Sequence, residues 1–169
     1  AVIEEGKENG IDYTMKQINA IANKRLLREV KTAVQTIQYQ LITIMTTNGQ
    51  APFVSIYFNL EEVPEGQTRD DLALLMEEVL KQRIDGVKNE KGIQTLVAFP
   101  KLLYVTSELN ITKDSPYWYL TELAARCTAK NLVPDYISGK KMKEMKGNFA
   151  HLFARFDFFL RTEGYFHRD

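Results

Sequence analysis

An α/β fold with a mainly parallel sheet is predicted by two observations. Segments of helical period alternate with short apolar runs rich in β-branched and aromatic residues, in the order helix, strand, helix, strand, helix, strand. The first of these runs, Phe53–Leu60, is apolar on both faces except at Ser55 and Asn59, the pattern of a strand covered on both sides. Crossovers between parallel neighbours are then expected to be right-handed.

The elements follow in order. Residues 1–13 are charged, contain Gly6 and Gly10 and show no period, so a loop or frayed end is expected. From about Thr14 to Met45, apolar positions including Ile18, Ile21, Ala22, Leu26, Val30, Val34, Ile37 and Leu41 recur mostly three or four residues apart, one face of a helix. A helix of that length either breaks near Asn23 or braces a large scaffold. Thr46–Phe58 then organises the chain, because the long helix runs into it and the first strand leaves it. Between the two lies Asn48-Gly49-Gln50-Ala51-Pro52, in which Gly49 can take a positive φ and Pro52 suits a strand's first position. Loops at the mouth of a buried strand are where α/β enzymes place ligand contacts. On the residues alone the stretch reads as a helix stop before a strand start or as a ligand-contact loop; in the second reading Asn48, Gly49 and Gln50 are the candidate binding residues, with amide donors and acceptors on Asn48 and Gln50.

Glu61–Gln67 reads as a surface turn. Thr68 offers an N-cap to a helix over Arg69–Ile84, with Asp70 and Asp71 in the first turn and Leu72, Met76, Val79 and Leu80 on its apolar side. Asp85-Gly86 stops it, and Lys88–Gly92 reads as a solvated turn. Thr95–Phe99 and Leu102–Val105 form a second strand interrupted at Pro100-Lys101. Ser115 as N-cap and Pro116 at the first helical position open a third helix to about Lys130, which buries Trp118 or Tyr119, Leu120, Leu123, Ala124 and Cys127. Val133–Ser138 is a short third strand or turn, and Lys140–Lys146 is basic. After Asn148 the character changes: Phe149–Asp169 holds both histidines and six of the nine phenylalanines, with Phe149, Leu152, Phe153, Phe156 and Leu160 at helical spacing. The expected organisation is one α/β unit over 1–148 and a divergent aromatic tail over 149–169.

At 169 residues the chain is one domain or a piece of a larger one. Lys and Arg total 22 and Asp and Glu 22, so no basic excess points to a nucleic-acid partner. The single cysteine, Cys127, allows no internal disulfide and no four-ligand zinc set, and it suits a reducing, cytoplasmic setting. No apolar run approaches the ~20 residues that span a bilayer, and no signal peptide is recognisable. The sequence begins at Ala1 rather than methionine, which points to an internal or processed start.

From about Arg28 to Asn148 the chain resembles the class III anaerobic ribonucleoside-triphosphate reductases, which are glycyl-radical enzymes. The matching blocks are Gln38-Tyr39-Gln40-Leu41, Thr46–Phe53, Asp70–Leu74, Glu77–Ile84, Gly86–Gly92, Phe99–Leu102, Tyr117–Ala129 and Val133–Ser138. The resemblance implies part of the first half of a ten-stranded α/β barrel, inside which a finger loop carries a thiyl-forming cysteine. It also implies removal of the ribose 3′ hydrogen by that thiyl radical, with formate commonly supplying the electrons. The cofactors implied for the family are a glycyl radical, structural zinc and nucleotide effectors. The partners implied are ribonucleoside triphosphates, effector nucleotides, an activating radical-SAM enzyme and a second copy in a homo-oligomer, with neither nucleic acid nor membrane. By the same resemblance Asn48, Gly49 and Gln50 would face the substrate cavity.

The departures shape the functional expectation. Asn148 is followed by Phe149-Ala150-His151-Leu152 where the family has a cysteine-containing run, and Cys127 belongs to the packed face of a helix. Arg161-Thr162-Glu163-Gly164-Tyr165 is similar to the family's Arg-x-x-Gly-Tyr radical stretch but is read as a chance match. The expectation is a reductase fragment with no catalytic or metal-ligating residue of its own, inactive alone. The alternative is a non-catalytic module that binds nucleotide or pairs with a complete reductase. A half barrel leaves a sheet face and an edge bare, so either the aromatic tail covers them or the chain self-associates.

Overall fold

The computed structural model describes residue 4 and residues 13–43, 54–88, 91–92, 94–97 and 99–146. In chain order these form helix α1 (Met15–Thr43), strand β1 (Ser55–Phe58), a 3-10 turn (Leu60–Glu62) and helix α2 (Gln67–Asp85). Strands β2 (Val87–Lys88), β3 (Gln94–Thr95) and β4 (Lys101–Thr106) follow, then helix α3 (Trp118–Asn131), strand β5 (Asp135–Ser138) and helix α4 (Gly139–Lys146).

The long helix forms as one piece of 29 residues and passes Asn23 unbroken. A reciprocal cap opens it: the Thr14 amide donates to Gln17 Oε1 at 2.9 Å, and the Gln17 amide to Thr14 Oγ1 at 3.4 Å. Its apolar period brings Val34 into the core and packs α1 on α2.

β1, β4 and β5 make a parallel sheet in the order β1-β4-β5, with Phe58 opposite Tyr104 and Tyr104 opposite Tyr136. Side chains alternate between its faces. Ile56, Phe58, Leu102 and Tyr104 meet Ala73, Met76 and Leu80 of α2 and Leu120, Ala124 and Cys127 of α3 in one core cluster. Fully buried side chains such as Leu80 and Leu120 each contribute about 2 kcal/mol by leaving water. The alternate positions Tyr57, Leu103 and Ile137 are half-buried, and Val105 is buried.

Three local expectations are corrected. Gly66, not Thr68, caps α2: with φ at 108° it turns the chain so that its carbonyl accepts the amides of Arg69 and Asp70. α3 starts at Trp118 rather than at Pro116, because the Ser115 hydroxyl turns back to the Thr112 carbonyl and the Tyr117 amide goes to the Leu109 carbonyl. None of the described residues of Thr95–Phe99 joins the parallel sheet; β3 pairs antiparallel with β2, which falls partly where a plain turn was expected. The Arg83 guanidinium takes the carbonyls of Val97 and Pro100, which removes that stretch from a ladder. Tyr119 stays 43 % exposed while Trp118 is half-buried.

Among the described residues no helix is long and apolar enough to cross a membrane.

Candidate functional site

Ligands of open α/β sheets bind beyond the carboxyl ends of the strands. β1 ends at Phe58 and is followed by Asn59, which is 5 % exposed and whose Oδ1 accepts the Glu61 amide at 3.1 Å. This cap places Glu61 and Glu62 beside the sheet edge. β5 passes directly into α4, and Lys143 of α4 reaches back to Glu61 Oε2 at 2.6 Å. The close approach needs Gly139, where a Cβ would lie 3.1 Å from Val105 Cγ1 and 3.2 Å from the Thr106 carbonyl oxygen. Burial, reinforced by the carboxylates of Glu62 and then Glu61, pushes the Tyr57 phenol well above its usual range. At the start of α3 the Tyr117 hydroxyl donates to Asp70 Oδ1 at 2.7 Å. That hydrogen bond, with a smaller contribution from burial, raises the Tyr117 phenol to about 12. At this edge the carboxylates of Glu61 and Asp70 are thus each engaged, one by Lys143 and the other by Tyr117.

The opposite edge is held by Arg83, which is 2 % exposed. Its guanidinium donates to the Val97 carbonyl and, at 2.7 Å, to that of Pro100. Burial lowers its pKa to about 10, so it stays charged at neutral pH. Asn131 donates to the Arg83 carbonyl and Lys130 to that of Ile84 at 2.6 Å, tying the end of α3 to the end of α2. Lys101 and Asp135 pair at 2.8 Å between β4 and β5. Beside this edge, a cavity of about 240 Å³ between α1, β1 and α2 is lined by Val34, Leu41, Ile56, Val79 and Arg83 among others. A more polar hollow of about 500 Å³ lies against Gln35, Gln38, Gln82, Asp85 and Gln94.

Asn48, Gly49 and Gln50 lie outside the described residues, as do Phe149–Asp169 with His151, His167 and Gly164. The strand that the Asn48–Gln50 loop leads into starts at Ser55, paired with Lys101 at the amino edge. Cys127 is fully buried on the inner face of α3. Burial pushes its thiol up against the lowering pull of Arg83 and Lys130. Among the described residues no group of three or more His, Cys, Asp or Glu side chains is placed to hold a metal. Sequence reasoning missed Asn59, Glu61, Lys143 and the Tyr117–Asp70 pair; the one local signal for any of them was a polar Asn59 closing an apolar run.

Comparison with known proteins supplies what the geometry does not. The family model for anaerobic ribonucleoside-triphosphate reductase matches residues 9–156. The chain belongs to this family. It is 31 % identical over 140 residues to the anaerobic ribonucleoside-triphosphate reductase of Escherichia coli K12, covering 82 % of this chain and 18 % of that protein. The enzyme of the same name from Enterobacteria phage T4 is 33 % identical over 130 residues, 75 % of this chain and 20 % of the relative. The Haemophilus influenzae enzyme is 29 % identical over 148 residues, 86 % of this chain and 20 % of the relative. The chain therefore spans about a fifth of the length of the curated reductases it matches. The reductase match also runs beyond both ends of the 28–148 stretch that carries the sequence blocks.

Proposed function

We propose that this chain is a section of the catalytic domain of an anaerobic ribonucleoside-triphosphate reductase and that these 169 residues alone make no deoxyribonucleotide. The parallel order β1-β4-β5, with both crossover helices on one face, supports placing it in one half of an α/β barrel. The face carrying Tyr57, Leu103 and Ile137 would then look into the barrel. Asn48, Gly49 and Gln50, which lead into β1 at its amino end and not at the carboxyl edge that holds Glu61, Lys143 and Tyr117, would meet ribose or phosphate oxygens of the nucleotide through amide and backbone donors. Effector nucleotides, an activating enzyme and a second copy are partners of the whole reductase in this reading.

One observation carries the inactivity: the lone thiol, Cys127, is fully buried against the core on α3. Removing a ribose 3′ hydrogen by a thiyl radical forms an S–H bond at a sulfur in contact with the sugar. Cys127 has no access to a sugar, and thioethers of methionine have no S–H to form that radical from. The test is to incubate the purified chain with a ribonucleoside triphosphate, an effector, formate and a reductase-activating enzyme, and to assay deoxyribonucleotide. Background-level product is expected; product above background, or a glycyl-radical signal on the chain, overturns the proposal.

A further inference from the structure

The loop from Ser107 to Tyr117 leaves β4 at the carboxyl edge and delivers the chain to α3. Its fixed point is Asn110, which is fully buried although polar. A buried carboxamide is tolerated only where its hydrogen-bonding capacity is met. Asn110 Oδ1 accepts the Ser107 amide at 2.8 Å. Its Nδ2 donates to the Val105 carbonyl at 3.0 Å and to the Tyr104 hydroxyl at 3.2 Å. The backbone around it closes the same turn: the amides of Asn110 and Ile111 both donate to the Ser107 carbonyl, and that of Tyr117 donates to the Leu109 carbonyl.

The directions of the remaining bonds follow from proton counting. Thr121 Oγ1 lies 2.6 Å from the Asn110 carbonyl oxygen, which can only accept, so the single hydroxyl proton of Thr121 is committed there. Tyr104 and Thr121 hydroxyls are 2.8 Å apart, and Tyr104 must be the donor of that pair. Tyr104 in turn accepts from Asn110. The bonds therefore form a closed ring with one sense: Asn110 side chain to Tyr104, Tyr104 to Thr121, Thr121 to the Asn110 main chain. Every link both donates and accepts in the same direction, the arrangement in which hydrogen bonds polarise one another. The Tyr104 phenol, raised to about 12 mainly by burial, keeps its proton throughout the physiological range.

We propose that Asn110 is a positioning residue, the hub of a directed hydrogen-bond ring that presets the Ser107–Tyr117 loop at the carboxyl edge of the sheet. The ring joins strand β4, the loop and helix α3 through Asn110, so Asn110 cannot leave its place without breaking it. Exposed side chains of the loop, Glu108, Thr112, Lys113 and Asp114, are thereby carried on a rigid base at the edge where α/β sheets meet their ligands.

Backbone 15N relaxation on the full chain tests it without any substrate. In the parent chain the amides from Glu108 to Asp114 are expected to have order parameters near ~0.85, as in rigid backbone. Asn110→Ala and Thr121→Val should each drop them below about 0.6, while α2 amides keep their values. Thr121→Ser, which restores the hydroxyl, should keep the loop rigid, and Asn110→Ala with Thr121→Val should loosen it no further than Asn110→Ala alone. Tyr104→Phe opens the ring at another link and serves where Asn110→Ala does not fold; it should loosen the loop as Thr121→Val does. A loop that stays rigid in Thr121→Val and Tyr104→Phe, or that loosens equally in Thr121→Ser, overturns the proposal.

Discussion

Replacing Arg83 by Met separates two opposed effects at one buried residue. The guanidinium is withdrawn from water, and its pKa falls from an ordinary 12.5 to about 10. At roughly 1.4 kcal/mol for each tenfold change, that withdrawal costs the folded chain roughly 3 kcal/mol, which methionine recovers. Against it, the carbonyls of Val97 and Pro100 lose their donor. A buried carbonyl left unpaired costs about 1–3 kcal/mol, and the buried one of Pro100, the partly buried one of Val97 and imperfect repacking around methionine together cost about 5 kcal/mol. The loss outweighs the gain by about 2 kcal/mol. The Arg83 Nε has no hydrogen-bond partner among the described residues, which keeps the gain from methionine appreciable and the net figure modest. Urea denaturation followed by the fluorescence of Trp118, the single tryptophan, reads the change as a midpoint lowered by about 1 M for a slope near 2 kcal/mol/M. A methionine variant as stable as the parent, or more so, would show that the guanidinium does not anchor the Val97–Pro100 segment.

Three further outcomes follow from the same contacts. Gly139→Ala should lose about 1–2 kcal/mol in the urea titration, because its Cβ meets the Thr106 carbonyl oxygen at 3.2 Å and a strand backbone cannot retreat. Tyr117→Phe should flatten the alkaline limb of stability: the Tyr117 pKa is raised to about 12, so the parent's contribution from this group is complete below pH ~10 and is lost as pH rises through about 12. A phenylalanine variant with an unchanged alkaline limb would contradict the Asp70 pairing. Leu80→Ala should cost about 3 kcal/mol, since Leu80 is fully buried between the sheet and α3; a loss under 1 kcal/mol would place it outside the core.

The parts of the fold legible in the sequence were those set by local period. α1 followed from the recurrence of Ile18 to Leu41, and β1, Leu102–Val105 and Asp135–Ser138 followed from short apolar or mixed runs between turns. The Asp70 placement in the first turn of α2 was legible from the dipole argument, whereas its true cap, Gly66, was hidden because a glycine cap leaves no side-chain signature. What could not be read was non-local. Arg83 looks like one more charge on an amphipathic helix, and its burial depends on carbonyls 14 and 17 residues further on. Those same bonds are why Leu96 and Val97, apolar and strand-like by composition, do not join the sheet. At the candidate site, the Glu61–Lys143 pair joins residues 82 apart, and Asn110 closes its ring through Thr121 in the next helix. Asn48, Gly49 and Gln50 remain a proposal built on turn chemistry and family resemblance.

Native-state labelling of Cys127 reads whether the one thiol of this chain belongs to its core. The rate of reaction with an aromatic disulfide is measured in buffer and again in concentrated urea at the same pH. A buried thiol reacts only through opening of the fold, so labelling in buffer is expected to be slower by at least about a thousandfold, the reciprocal of the unfolded fraction of an ordinary domain. Labelling in buffer within tenfold of the unfolded rate would put Cys127 in reach of solvent and ligands and outside the core.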